Sequence, residues 1–163
     1  MSNWMNSDGL NVKFGTTEGA AGAGGEPLEF GGLHKVEVEI NGTDIGSTAA
    51  LVDRHTIVPS GARIEKVEVV AETAFTSGGA ATLDVGLVDQ DESTEIDDDG
   101  LVAALALSSI DADGDVVELV QGSTGHGALV GTTLSNAGYI SVHYGTAAYT
   151  AGRAVIRVFY YIP

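Results

Sequence analysis

The residues best equipped for chemistry in this chain are carboxylates. Asp97, Asp98 and Asp99 are consecutive, and Asp111, Asp113 and Asp115 alternate with Ala112 and Gly114. Closely spaced carboxylates are what a hard cation such as calcium binds. The second group resembles an EF-hand loop, but its spacing fails. With Asp111 first, the position that needs glycine is Val116 and the position of the bidentate glutamate is Gly122. Starting at Ser109 puts Val120 in the last place. A turn with solvated aspartates is the plainer explanation of the pattern. The metal reading that survives is a looser calcium site in which Asp111, Asp113 and Asp115 join Asp97 and Asp99.

Other chemistry is poorly supported. His34, His55, His126 and His143 are far apart, each on a different expected strand or loop, so they assemble neither a metal site nor a catalytic base. No serine occupies a Gly-x-Ser-x-Gly elbow. The run Gly19 to Gly25 lacks the Gly-Lys-Ser/Thr ending of a phosphate loop and reads as a linker. Asn41-Gly42-Thr43 fits a glycosylation pattern, but the dipeptide reads first as a hairpin turn. Cysteine is absent, which excludes thiol, zinc-ribbon, iron–sulfur and disulfide chemistry. The expectation is a binding protein, not an enzyme, with no cofactor.

The elements that would carry these residues are strands. Val36, Val38 and Ile40 alternate with Lys35, Glu37 and Glu39, the period of a half-buried strand. Further strands are expected at 54–58, 62–73, 81–88, 116–121, 128–134, 138–144 and 153–162. Ile64 is out of phase with Val67, Val69 and Ala71, so a bulge is expected near Glu65. Leu101 to Ser108 is apolar all round and follows Asp97-Asp98-Asp99-Gly100, whose carboxylates suit a helix N-terminus. A short helix is expected there, with a buried strand as the rival. Four strands, a helical crossover and four more strands make an all-β, jelly-roll-like antiparallel β-sandwich.

Organisation along the chain is uneven. Residues 1–32 read as an extended N-terminal arm and residues 33–163 as the β-sandwich domain. The arm holds Trp4, Leu10, Val12 and Phe14 before a Gly/Ala-rich strap that carries little to pack. Acids outnumber bases 23 to 7, for a formal charge of -16 over 163 residues. So acidic a chain repels phosphates, which argues against nucleic acid as a partner, and it suits saline surroundings, where charge repulsion is screened. Its longest apolar run, Leu101 to Leu107, is far too short to span a bilayer, so no membrane partner is expected. The opening Met1 to Asn6 has neither a basic nor an apolar signal region, which points to synthesis in a cytoplasm. From Gln121 to Pro163 there is no acid at all. There Arg153, Arg157, Phe159 and Tyr161 share one face of the last strand, a mixture that interfaces favour. The alternative is that both arginines pair with acidic neighbours across the sheet.

Several stretches resemble the head decoration, or cement, proteins of tailed viruses, including marine ones. They are Asn3-Trp4-Met5-Asn6 with Asp8-Gly9-Leu10 and Val12-Lys13-Phe14-Gly15, and Pro59 to Ile64 running into Val67-Glu68-Val69-Val70. Ala81 to Leu87 with Ser93 to Asp97, and Gly127 to Leu134, complete the set. The resemblance implies a jelly-roll-like domain, often trimeric, on the outer capsid surface. It implies a virion protein that binds the major capsid protein and bridges its subunits, a homotrimer made in the host cytoplasm. Its interface would use Trp4, Leu10, Val12 and Phe14 of the arm together with Arg153, Arg157, Phe159 and Tyr161. No catalytic or cofactor residue comes with that family. The alternative is a receptor- or glycan-binding β-sandwich of a tail or fibre.

Overall fold

A computed structural model of the chain describes residues 3–5, 11–13, 32–47, 51–92 and 94–162. Within the expected arm, β1 (Asn3–Met5) and β2 (Asn11–Lys13) form a short antiparallel ladder with Trp4 opposite Val12. Leu10, Phe14 and the Gly/Ala strap lie outside the described residues.

The main domain is built from β3 (His34–Asn41), β4 (Leu51–Val58), β5 (Arg63–Ser77), β6 (Thr82–Asp89), β7 (Glu95–Ala106), β8 (Val116–Val120), β9 (Gly138–Gly145) and β10 (Tyr149–Tyr161). Their pairing is nested and antiparallel throughout: β6 with β7, β5 with β8, β4 with β9, β3 with β10. The chain is therefore one long ribbon, doubled back at the turn between β6 and β7 and then rolled. Rolling sets β10 beside β5 and β9 beside β6. The product is two four-stranded sheets, β3-β10-β5-β8 and β4-β9-β6-β7, in the arrangement of a jelly roll.

Alternation explains the core. Val38 and Ile40 of β3, Val67, Val69 and Ala71 of β5, Leu83, Val85 and Leu87 of β6, and Ala154, Ile156 and Val158 of β10 are all buried between the sheets. Each fully buried aliphatic side chain of this kind stabilises the fold by roughly 1.5–3 kcal/mol. Ile64 is buried as well, although it is three residues from Val67. The ladder with β10 steps from Lys66 opposite Phe159 to Ile64 opposite Tyr160, which leaves Glu65 as the extra residue of a bulge. This is the place the phase of the sequence predicts.

Three expectations are corrected. The segment from Leu101 is no helix: it belongs to strand β7, and only a 3-10 turn, Leu107–Ser109, follows. Leu101, Val102 and Leu105 are buried, and the backbone is hydrogen-bonded along both edges. One edge pairs with β6 (Val85 with Val102, Leu83 with Leu105), and the other is met by the segment 125–129. There Ala103 N donates to Gly125 O at 2.9 Å and Leu129 N to Gly100 O at 2.8 Å. Residues 128–134 form no strand. They run as turns that bond the start of β5, Gly131 N to Ile64 O and Leu134 N to Ala62 O, both at 2.8 Å, and they bury Val130 and Leu134. Asn41-Gly42 makes no hairpin either, since β3 and β4 lie in different sheets and a 3-10 turn, Gly42–Asp44, begins the crossing.

Candidate functional site

The acidic triplet lies on a large bulge of β7. Opposite β6, the ladder steps from Val85 with Val102 to Leu87 with Asp97, so the stretch from Asp98 to Leu101 has to loop out of register. It loops across the outer face of β6, where Gly86 makes room. A Cβ on Gly86 would lie closer than 3.0 Å to Asp97 O and to Asp98 C and O. From the other side the same backbone is met by Gly127, whose Cβ would come as close to Asp99 O and Gly100 C. The bulge is thus threaded between two glycines.

This threading gathers the carboxylates. Ligand oxygens of Asp97, Asp98 and Asp99 all lie within 4.8 Å of one another. Burial, and then a hydrogen bond shared with Asp99, hold the Asp97 carboxyl above its usual range. Beneath the bulge is a polar strip of the sheet. Asp84 and His143 are register partners, as are Gly86 and Ser141. His143 Nε2 stands 3.9 Å from Asp84 Oδ2 and 4.0 Å from Asp98 Oδ2. Asp84 is buried, and its Oδ1 accepts a hydrogen bond from Ala104 N at 2.6 Å. The Ser141 hydroxyl is fully buried and has no hydrogen-bond partner among the described residues. Sequence reading missed Asp84, Ser141 and His143. A faint signal was present: Asp84 is the one carboxylate inside the otherwise apolar run Leu83 to Val88.

The other metal candidates stay apart. Among the described residues, Asp111, Asp113 and Asp115 do not join the triplet. They hold a turn instead: Asp113 Oδ1 accepts from Ala74 N at 2.7 Å, and Asp115 Oδ2 from Ala112 N at 2.9 Å. Local backbone donors thus take up two of the carboxylates of that motif.

A second surface lies on the outer face of the sheet β3-β10-β5-β8. Arg153, Arg157 and Phe159 project there from β10, a central strand, and half-buried Tyr161 ends the row. Both arginines are paired across the sheet, Arg153 with Glu39 (2.9 Å) and Glu72 (2.7 Å), Arg157 with Glu37 (3.3 Å) and Glu68 (3.7 Å). Lys66 bridges Glu118 (2.6 Å) and Glu68 (2.7 Å) and sits 4.8 Å from the Phe159 ring centre. Hydrogen bonds to Glu118 and then Glu68 raise the Lys66 ammonium above its ordinary value, and the ammonium of Lys35 holds Glu37 below its own. Around these ions, Val116 is 62% exposed and Val120 is 41% exposed.

No protein-family profile matches the chain, and no curated protein matches it. Solved structures do. A chain of the cyanophage Pam1 capsid asymmetric unit matches with a TM-score of 0.55 and 20% identity, over 92% of this chain and 98% of that one. A chain of the capsid of Ralstonia phage GP4 matches with a TM-score of 0.52 and 19% identity, over 85% of this chain and 88% of that one. What is shared at these identities is the fold, nearly end to end.

Proposed function

We propose that this chain is a structural protein of a virus particle that seats on the outside of the shell and stiffens it by bridging major capsid subunits. The observation that carries the reading is the charge of one face. The outer face of β3-β10-β5-β8 holds Lys35, Lys66, Arg153 and Arg157, four of the seven cationic side chains of the chain, against Glu37, Glu39, Glu68, Glu72 and Glu118. These paired ions sum to -1 on a molecule of -16. Elsewhere the surface repels another acidic copy. Here it does not, and exposed Val116 and Val120 offer apolar area beside Phe159. Such a face suits contact with a shell subunit or with two further copies in a trimer. The two phage capsid chains that share the fold support the reading, since both belong to shells.

The arm residues Trp4, Leu10, Val12 and Phe14 supply the second contact in this reading, reaching a neighbouring subunit or copy. Mass action gives the stiffening: a protein that binds the assembled shell and not its unfolded subunits stabilises it by the binding energy, and repetition over many sites multiplies a modest affinity.

The test is decoration itself. Purified protein is added to shells stripped of it, and bound copies are counted by mass spectrometry. Hundreds per particle support the proposal, whereas a handful places the chain in a tail or fibre. Val116→Asp with Val120→Asp should abolish binding while shifting stability by only about 0.5 kcal/mol per exposed position. Deleting residues 1–25 should weaken retention and leave the sandwich folded. Undiminished decoration by both variants refutes the proposed surfaces.

A further inference from the structure

We propose that the bulge of β7 is a calcium site, with Asp97, Asp98 and Asp99 as carboxylate ligands and the Ser141 hydroxyl as a ligand from the sheet beneath. Three consecutive aspartates do not by themselves make a site, because exposed acids are common without an ion. What points to a ligand is Ser141. It is 1% exposed, and its Oγ has no partner among the described residues. A hydroxyl taken out of water without a partner is a standing cost to the fold unless something binds it.

The register says where that hydroxyl lies. Ser141 is directly opposite Gly86, and the backbone of Asp97 and Asp98 rests on Gly86. Ser141 also shares the outer face of β9 with His143, whose Nε2 lies 4.0 Å from Asp98 Oδ2. The orphan hydroxyl is therefore on the side of the sheet that the acidic bulge covers.

The spacing fits one ion. Two oxygens bound to the same calcium at about 2.3–2.6 Å stand no more than about 5 Å apart. The three carboxylates lie within 4.8 Å of one another, so they can close on one cation with little movement. The donor set is hard oxygen, which favours calcium or magnesium over softer metals. Magnesium demands a tight octahedron, whereas calcium accepts the irregular set that a backbone bulge offers. Asp84 and His143 complete the surroundings, with His143 Nε2 3.9 Å from Asp84 Oδ2 beneath the bulge.

The experiment is calorimetric titration of the full chain, first freed of divalent ions with a chelator, using calcium chloride and then magnesium and zinc chlorides. The expected result is one saturable calcium per chain and a higher Tm in calcium than in chelator. Asp97→Asn with Asp99→Asn should remove the binding. Ser141→Ala should weaken it by about tenfold or more, the scale seen when a supporting group of a metal site is lost. Asp111→Asn with Asp113→Asn should bind as the parent does, which separates the site from general surface charge. Unsaturable heats, or a Ser141→Ala variant that binds like the parent, overturn the proposal. Preference for zinc with loss on His143→Ala overturns the oxygen-ligand assignment. Should the double variant fail to fold, Asp98→Asn alone decides by the same readings.

Discussion

Replacing Gly86 with alanine tests the account of how the acidic bulge is held. The added methyl would sit closer than 3.0 Å to backbone atoms of Asp97 and Asp98. Neither side can give way cheaply. Val85 and Leu87, its neighbours on β6, are fully buried against the core, so the strand cannot retreat. The bulge is backed by Gly127 and tied by Leu129 N to Gly100 O at 2.8 Å and Gly127 N to Leu101 O at 3.2 Å. Overpacking a well-packed site costs about 1–3 kcal/mol, and a clash with backbone on both sides belongs at the upper end. In a domain of this size each kcal/mol moves Tm by roughly 2–4 °C, so a fall of about 6–12 °C is expected. Gly78→Ala is the control, because a Cβ there meets nothing within 4 Å. It should be neutral or stabilising by up to about 1 kcal/mol, through the unfolded chain. Circular dichroism melts at one protein concentration, with urea unfolding to check that the m-value is unchanged, compare the three proteins. If Gly86→Ala melts with or above the parent, the bulge is not clamped as described and the reasoning fails.

Three further outcomes are expected. Because the chain carries a formal charge of -16, Tm should rise as sodium chloride is raised from about 0.1 M to about 1 M, which shortens the screening length from about 10 Å to about 3 Å; a flat or falling Tm contradicts this. Tyr149→Phe removes a buried hydroxyl that has no partner among the described residues, held by burial and by nearby Asp84 far above the ordinary phenol range, so it should leave the fold unchanged or stabilise it by about 1 kcal/mol; a loss of more than that amount in chemical unfolding means the hydroxyl is bonded. Asp97 is raised by burial, so its protonated form is favoured in the folded state and the stability it confers is lost as pH rises through its folded value. In chelator, Asp97→Asn should therefore melt above the parent at neutral pH, with the gap closing as pH falls into the carboxylate range; a lower Tm for the variant at neutral pH refutes the assignment.

Local pattern was enough for most of the strands and their inward faces, though not for 128–134, whose alternation belongs to turns packed on the start of β5. Alternation in Val36 to Ile40, Leu83 to Leu87 and Ala154 to Val158 follows from the pleat alone, and the phase slip between Ile64 and Val67 located a bulge without any knowledge of the partner strand. Absence of cysteine and the excess of acid bounded the chemistry in the same local way. The segment 101–108 was misread because an all-round apolar run is compatible with a helix or with a buried strand. Only the rolled topology brings the segment 125–129 to the far edge of β7 and decides between them. The polar site was hidden for a related reason. Asp84, Asp97 to Asp99, Ser141 and His143 come from three strands separated by up to about a third of the chain, and only the aspartate triplet stands out where it lies. The long insertion opposite Gly86, not the spacing of the residues in sequence, carries the carboxylates over Ser141. The arginines of β10 were visible as an unusual face, but their partners Glu37, Glu39, Glu68 and Glu72 lie on β3 and β5, and pairing across a sheet depends on which strands the roll makes neighbours.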